Sequence, residues 1–161
     1  MLSGISDVFN KYKTLIDNVD VSIFQKSFPN SSSLGSHVRH VLDRANCVVN
    51  GFATGKIDYD KRRRDESLDN DPKLCLKEFD RIFEEIENFD GGLKSEVEVC
   101  ESINDDGLKA SLKSTYEREL LDIILHCTHH LATIKFIVEK SGIEVDKDFG
   151  KNVSTVIYER G

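Results

Sequence analysis

The residues best suited to chemistry are histidines, which fall in two clusters. Residues 126–130 are HCTHH, and the other two histidines are His37 and His40. On an α-helix, His126 and His130 are four positions apart and share one face, with Cβ atoms about 6 Å apart. Two such imidazoles can bind one metal ion, and a third ligand from another element would complete a site with an open coordination position. The spacing therefore predicts a metal site.

A purely structural role is the alternative for His126 and His130. A neutral imidazole needs only one or two hydrogen-bond partners, which a protein core can supply. Two buried imidazoles without a common ligand would leave several ring nitrogens in need of hydrogen-bond partners, and this favours metal binding. The pair lacks the glutamate of an HExxH motif, which would supply a general base. His129 lies about 100° around the helix from His130, so we interpret it as a surface or groove residue.

The third ligand is expected to be His37 or His40. By helical phase, His37 is nearer the apolar stripe that contains Val41 and Phe52, which slightly favours it as the inward residue. His40 lies at the flank of that stripe, where a groove between helices would open. Periodicity alone leaves the choice open.

Two carboxylates, Glu119 and Asp122, precede His126 on the same predicted helix. Either could orient a ligating imidazole by accepting its second N–H, or act as a general base on bound water. They could equally be exposed helix carboxylates. Cys127 is a weaker candidate nucleophile, because its predicted position is buried and no basic partner is evident.

Four helices are expected to position these residues. Apolar periodicity and helix-end signals place them at about 2–18, 34–55, 71–91 and 114–140. A serine within 31–33 can cap the second helix, Asp71 and Pro72 begin the third, and residues 114–117 form a capping box. Residues 95–102 are an extended segment or short strand, and the tail from Ile143 is a loop. We expect an all-α fold, a four-helix bundle with long connections in one domain over 1–161.

Composition narrows the class of protein. The chain has 161 residues, of which 39% are apolar and 32% charged, as in soluble globular proteins. Its net charge of −7 argues against a general nucleic-acid or anionic-membrane binder. The basic run at 61–64 lies in a segment, 56–71, with five basic and six acidic residues, so we expect a salt-bridged loop. Alternatively, these arginines close over the metal pocket and hold an anionic substrate.

The cellular location of the protein is inferred from the targeting and membrane-spanning signals that the sequence lacks, together with its cysteines. Residues 1–5 lack the features of a signal peptide, and no stretch is expected to be apolar for long enough to cross a bilayer. The four cysteines (Cys47, Cys75, Cys100 and Cys127) form no CxxC pair, and buried free thiols indicate a reducing compartment. We expect a cytoplasmic protein.

Two stretches resemble the DinB/YfiT-like superfamily. Residues 33–43, SLGSHVRHVLD, resemble its second helix, and residues 126–132, HCTHHLA, resemble its fourth-helix HxxxH motif. The predicted helix lengths and long crossovers also agree over most of the chain. Residues 57–64 and 148–150 are similar to a subgroup of uncharacterised DinB-like proteins.

The resemblance implies a bundle with a three-histidine site for a divalent metal, often zinc or nickel, and frequently a homodimer. Carried over by position, the ligands are His40, His126 and His130, which settles the choice that periodicity left open. Relatives include transferases and isomerases that use bacillithiol, mycothiol or glutathione. Many members follow the last ligand with Arg-Gly-Gln, whereas this chain has Leu-Ala-Thr at 131–133.

Three functions are compatible with these features. The first is a metal-dependent hydrolase or thiol transferase, because a bound metal lowers the pKa of water or of a thiol. The second is a non-catalytic dimeric bundle with a structural or vestigial metal site. The third is a DNA-associated role, which would require salt-sensitive DNA binding.

Overall fold

The computed structural model describes residues 1–27 and 32–161. Within these ranges the chain forms six α-helices and three β-strands, with two short 3₁₀ turns at 59–61 and 66–69. The helices are α1 (Leu2–Asp17), α2 (Val21–Gln25), α3 (Leu34–Phe52), α4 (Pro72–Glu87), α5 (Tyr116–Lys140) and α6 (Val153–Arg160). The strands are β1 (Lys56–Asp58), β2 (Glu96–Ser102) and β3 (Lys109–Thr115). Part of the predicted loop before α3, at 28–31, lies outside the described residues.

The four long helices, α1, α3, α4 and α5, match the four helices predicted from the sequence. Their apolar faces bury one connected core. Ser33 caps α3 by accepting a hydrogen bond from the Ser36 amide at 3.1 Å. Asp71 caps α4 in the same way, through the Leu74 amide at 3.1 Å, with Pro72 in the first turn. Both caps satisfy amides that have no partner inside the helix.

The prediction of an all-α four-helix bundle is wrong, because a three-stranded sheet is part of the fold. Strand β2 pairs in parallel with β1 and antiparallel with β3. The segment predicted as extended is β2. Strand β3 was missed, although Leu108, Ala110 and Leu112 alternate with polar residues, because the pattern is short and the side chains are mostly exposed. The short helices α2 and α6 were also missed.

The start of α5 differs from the predicted capping box at 114–117. Thr115 is the N-cap, and its side chain accepts a hydrogen bond from the Arg118 amide at 3.2 Å. The Ser114 hydroxyl instead donates to Glu119 at 2.5 Å. Strand β3 runs directly into α5, so the sheet determines where this helix begins.

Helices α3 and α5 pack against each other in opposite directions and carry both histidine clusters. At one end, the Tyr116 hydroxyl donates to the Gly51 carbonyl at 2.8 Å. At the other end, His37 of α3 meets His130 of α5. The loop between β1 and α4 covers the first turn of α3, where a Cβ on Gly35 would lie 2.1 Å from the Asp69 carbonyl oxygen. This close approach places the basic run beside the histidines.

Helix α5 is, among the described helices, the one long and apolar enough to cross a membrane, with 25 residues that include an 18-residue window of mean hydropathy 1.2. This corrects the expectation that no stretch meets that criterion. A central helix of a protein core meets it as well. In this structure α5 packs against α1 and α3 and contributes residues such as Leu120, Ile123 and Leu131 to the core.

Candidate metal centre

Three imidazoles from two helices meet in one group. His40 comes from α3, and His126 and His130 come from successive turns of α5. Their ring centroids are 4.9 Å (His40–His126), 4.8 Å (His40–His130) and 4.6 Å (His126–His130) apart. One ring nitrogen of each lies within 4.8 Å of the others. This group can hold a metal ion.

The separations suit a small divalent cation. Nitrogens bound tetrahedrally at about 2.0–2.1 Å from a zinc ion lie about 3.3 Å from one another. The widest nitrogen separation, up to 4.8 Å, therefore has to close by about 1.5 Å, which side-chain rotation can supply. All three side chains are half-buried, so an ion can reach them from solvent.

The electrostatics keep the three ligands neutral. Burial, followed by the nearby charges of Arg62 and Arg44, lowers the pKa of His40 to about 4. Burial, followed by the charge of Arg44, lowers the pKa of His126 to about 4. For His130, burial and the neighbouring imidazoles lower the pKa to about 3. Neutral imidazole is the form that binds metal, so the group is ready to do so at pH 7.

Unsatisfied polar atoms concentrate at this site. Within residues 1–27 and 32–161, three buried side-chain nitrogens have no hydrogen-bond partner: Nε2 of His126, Nε2 of His37 and Nε of Arg62. All three residues belong to the histidine group or contact it. Buried polar atoms without partners cost free energy, so native proteins keep them mainly where function requires them.

His37 contacts the three-histidine group but is not one of its members. Its Nδ1 is 3.1 Å from Nδ1 of His130. If His130 binds an ion through Nε2, its Nδ1–H can donate to His37 and so fix the orientation of the ring. The group therefore contains His40, as the family resemblance implied, while His37, the alternative ligand, is placed to support His130.

The two carboxylates proposed as orienting groups or bases are engaged elsewhere. Glu119 is buried, and its oxygens accept hydrogen bonds from the hydroxyls of Tyr59 at 2.7 Å and Ser114 at 2.5 Å. Asp122 accepts two hydrogen bonds from Arg44, at 3.0 and 2.9 Å. Neither hydrogen-bonds to a histidine in the part of the chain that the structure describes. Their catalytic role stays a prediction, and these contacts do not support it.

The basic run at 61–64 divides in two. Lys61 pairs with Asp58 at 3.7 Å, and Arg63 pairs with Asp65 at 2.7 Å, as expected of a salt-bridged loop. Arg62 points the other way, and its Nη1 is 3.2 Å from Nδ1 of His40. Nothing in the local sequence distinguishes Arg62 from its neighbours, because its position depends on how the loop packs against α3.

Two further features lie near the centre. All four cysteines are buried and free, as predicted, and burial raises the pKa of Cys127 far above its usual range, which argues against a nucleophilic role. The tail contacts α5 just beyond His130, where a Cβ on Gly150, at φ +75°, would lie 2.5 Å from the Ala132 amide nitrogen. His129 is exposed, as expected.

Comparisons with protein-family models and with curated proteins find no match to this chain.

Proposed function

We propose that the chain binds one divalent metal ion through His40, His126 and His130 and acts as a metal-dependent hydrolase or thiol transferase of the DinB-like type. Zinc and nickel are the metals that the family resemblance implies, and imidazole is a suitable ligand for both. The observation that carries the proposal is the orphaned Nε2 of His126 inside a group of three neutral histidines. When bound, such an ion lowers the pKa of a coordinated water or thiol toward neutrality.

The number of ligands supports a catalytic site. A structural zinc site normally has four protein ligands, whereas a catalytic site has three and an open position. Among the described residues, no fourth His, Cys, Asp or Glu belongs to the group. Asp122, the carboxylate whose charge acts on His126, is held by Arg44.

A non-catalytic dimeric protein with a structural or vestigial metal site is the second candidate. Leu121, Leu125 and Phe136 are 41%, 44% and 67% exposed, and their spacing places them on one face of α5. An exposed apolar stripe of this kind favours a homodimer. A catalytic protein can also be a dimer, so dimerisation does not distinguish the two candidates. They differ in whether the bound metal keeps an open coordination position.

We also propose a cytoplasmic protein that takes a small-molecule substrate and binds neither nucleic acid nor membrane. Free buried cysteines and the net charge of −7 support this.

The experiment is a titration of metal-free protein with Co²⁺, followed by 2-mercaptoethanol. We expect d–d absorption bands on metal binding, and then a sulfur-to-cobalt charge-transfer band as the thiol occupies the open position. His126→Leu is the control and should give neither signal. Cobalt uptake without a thiol band would favour the structural site, and no cobalt uptake would contradict the proposal.

A further inference from the structure

Arg62 is a cation at the edge of the histidine group whose guanidinium is not held in a close ion pair. Its Nη1 is 3.2 Å from Nδ1 of His40, and its Nε is buried without a hydrogen-bond partner. Among residues 1–27 and 32–161, no carboxylate forms an ion pair with it. A half-buried guanidinium in this state costs free energy unless another ligand compensates it.

The other arginines close to His40 are neutralised. Arg39 pairs with Asp69 at 2.6 Å. Arg44 pairs with Asp122 at 2.9 Å and with Glu101. Arg62 differs from them, because no described carboxylate lies within ion-pair distance of its guanidinium, although the charge of the buried Asp43 acts on it from farther away. Arg62 is therefore the arginine beside the predicted metal position whose guanidinium is not already held by a described carboxylate.

The contact between Arg62 and His40 is incompatible with a metal ion on His40. A guanidinium can only donate, so Nδ1 of His40 accepts, and the proton of the neutral ring is on Nε2. An ion on Nε2 moves that proton to Nδ1, where it faces the N–H of Arg62. An ion on Nδ1 uses the lone pair that Arg62 needs. In either case the hydrogen bond has to break.

We infer that Arg62 is the anion-binding residue of the loaded site: it releases His40 when the metal binds, and its guanidinium then holds a carboxylate of the substrate. This rests on the proposed function and names the substrate class, because one guanidinium matches the charge and the two-oxygen geometry of one carboxylate. Through the planar fork of Arg62, the carboxylate would be held next to the open coordination position. In metal-free protein the Arg62 guanidinium instead hydrogen-bonds to Nδ1 of His40.

The test compares wild type with Arg62→Met and with the control Arg63→Met. Arg63 is the neighbouring arginine, more than half exposed and paired with Asp65. We expect metal-free Arg62→Met to bind Co²⁺ about five- to tenfold more tightly than wild type, since the competing hydrogen bond and the repelling charge are gone. Acetate, added to the cobalt-loaded protein at constant ionic strength, should bind about tenfold more weakly to Arg62→Met. Circular dichroism should confirm that both variants are folded.

The outcomes separate this inference from the proposed function. Arg63→Met should match wild type within about twofold in both titrations, because exposed ion pairs contribute little. If wild type binds cobalt but Arg62→Met matches it in either titration, Arg62 does not have this role and the metal site stands. If wild type binds no cobalt, the proposed function and this inference fail together.

Discussion

Two adjacent polar layers lie where α3 and α5 pack together, and they differ in whether their hydrogen bonds are made. The paired layer is built from Arg44, Asp122, Glu101, Tyr59 and Glu119. Here Arg44 bonds to both Asp122 and Glu101, its guanidinium carbon lies 3.8 Å from the centre of the Tyr59 ring, and Tyr59 donates to Glu119. The histidine layer lies one helical turn away, since His126 follows Asp122 by four residues on α5. It consists of His37, His40, His126, His130 and Arg62. It contains all three orphaned side-chain nitrogens found in the described residues.

The difference separates polar groups whose hydrogen bonds are made within the protein from polar groups whose hydrogen bonds are not. A buried polar group contributes to stability only when its hydrogen bonds are made. The paired layer meets that condition without any added component. The histidine layer does not, since three of its side-chain nitrogens have no hydrogen-bond partner among the described residues. Local conflicts of this kind mark functional sites.

The largest effect is expected from a ligand in the histidine layer. His130→Leu should weaken metal binding by at least about 100-fold, because two of three ligands cannot hold the ion well. His129→Leu is the matched control, since His129 is exposed on the same helix, and its affinity should stay within about twofold of wild type. Calorimetric titration with Zn²⁺ measures both. Equal losses in the two variants would mean that the assigned ligand face of α5 is wrong.

Removing a member of the paired layer should instead lower stability. Arg44→Met should reduce the free energy of unfolding of the metal-free protein by about 2 kcal/mol, because it strips two carboxylates and a buried aromatic ring of their shared partner. Urea unfolding measures this. The control is Arg118→Met, since Arg118 contacts the same Asp122 at 3.6 Å from an exposed position, and it should cost less than about 0.5 kcal/mol. A small loss for Arg44→Met would remove the distinction between the layers.

A supporting role for His37 predicts a smaller change in metal affinity. His37→Leu removes the partner of His130 Nδ1 and should weaken Zn²⁺ binding about tenfold, the lower end of what such partners contribute. Loss of all binding, with His40→Leu retaining metal, would show that His37 is the third ligand. An unchanged affinity would show that it does not orient His130.

The smallest effect concerns the pH dependence of metal-free stability. His126, His40 and His130 have pKa values of about 4, 4 and 3 in the folded protein, against about 6.5 when unfolded. Between the folded and unfolded pKa values, the unfolded state binds more protons than the folded state. The free energy of unfolding should therefore rise from about pH 4 to pH 6.5. His126→Leu should flatten this rise and leave stability at pH 7.5 within about 0.5 kcal/mol, because an orphaned nitrogen is removed. A steeper rise would contradict this.

Sequence patterns predicted the long helices well, because their apolar faces repeat at the helical period and two of them begin with explicit caps. The same sequence patterns did not predict the three-stranded sheet. Strand β3 is held by backbone pairing with β2 while most of its side chains face solvent, and its strand signal is limited to the short alternation of Leu108, Ala110 and Leu112 with polar residues. The mistaken capping box at 114–117 follows from the same omission, since the end of β3 determines the start of α5.

Of the candidate site, only the three grouped histidines could be predicted from the sequence. Spacing identified His126 and His130, and the family resemblance added His40. The partners of Glu119 and the position of Arg62 depend on the segment between β1 and α4, which the sequence analysis treated as a solvated loop. Tyr59 and Arg62 both come from that segment, and long-range packing decides where each side chain points.

The most direct test of the central claim is the metal content of untagged protein prepared under metal-replete conditions and measured by elemental analysis. The account predicts one divalent ion, zinc or nickel, per chain, lost in His40→Leu and His126→Leu and retained in His129→Leu. Wild-type protein that is folded and carries no stoichiometric metal would contradict it.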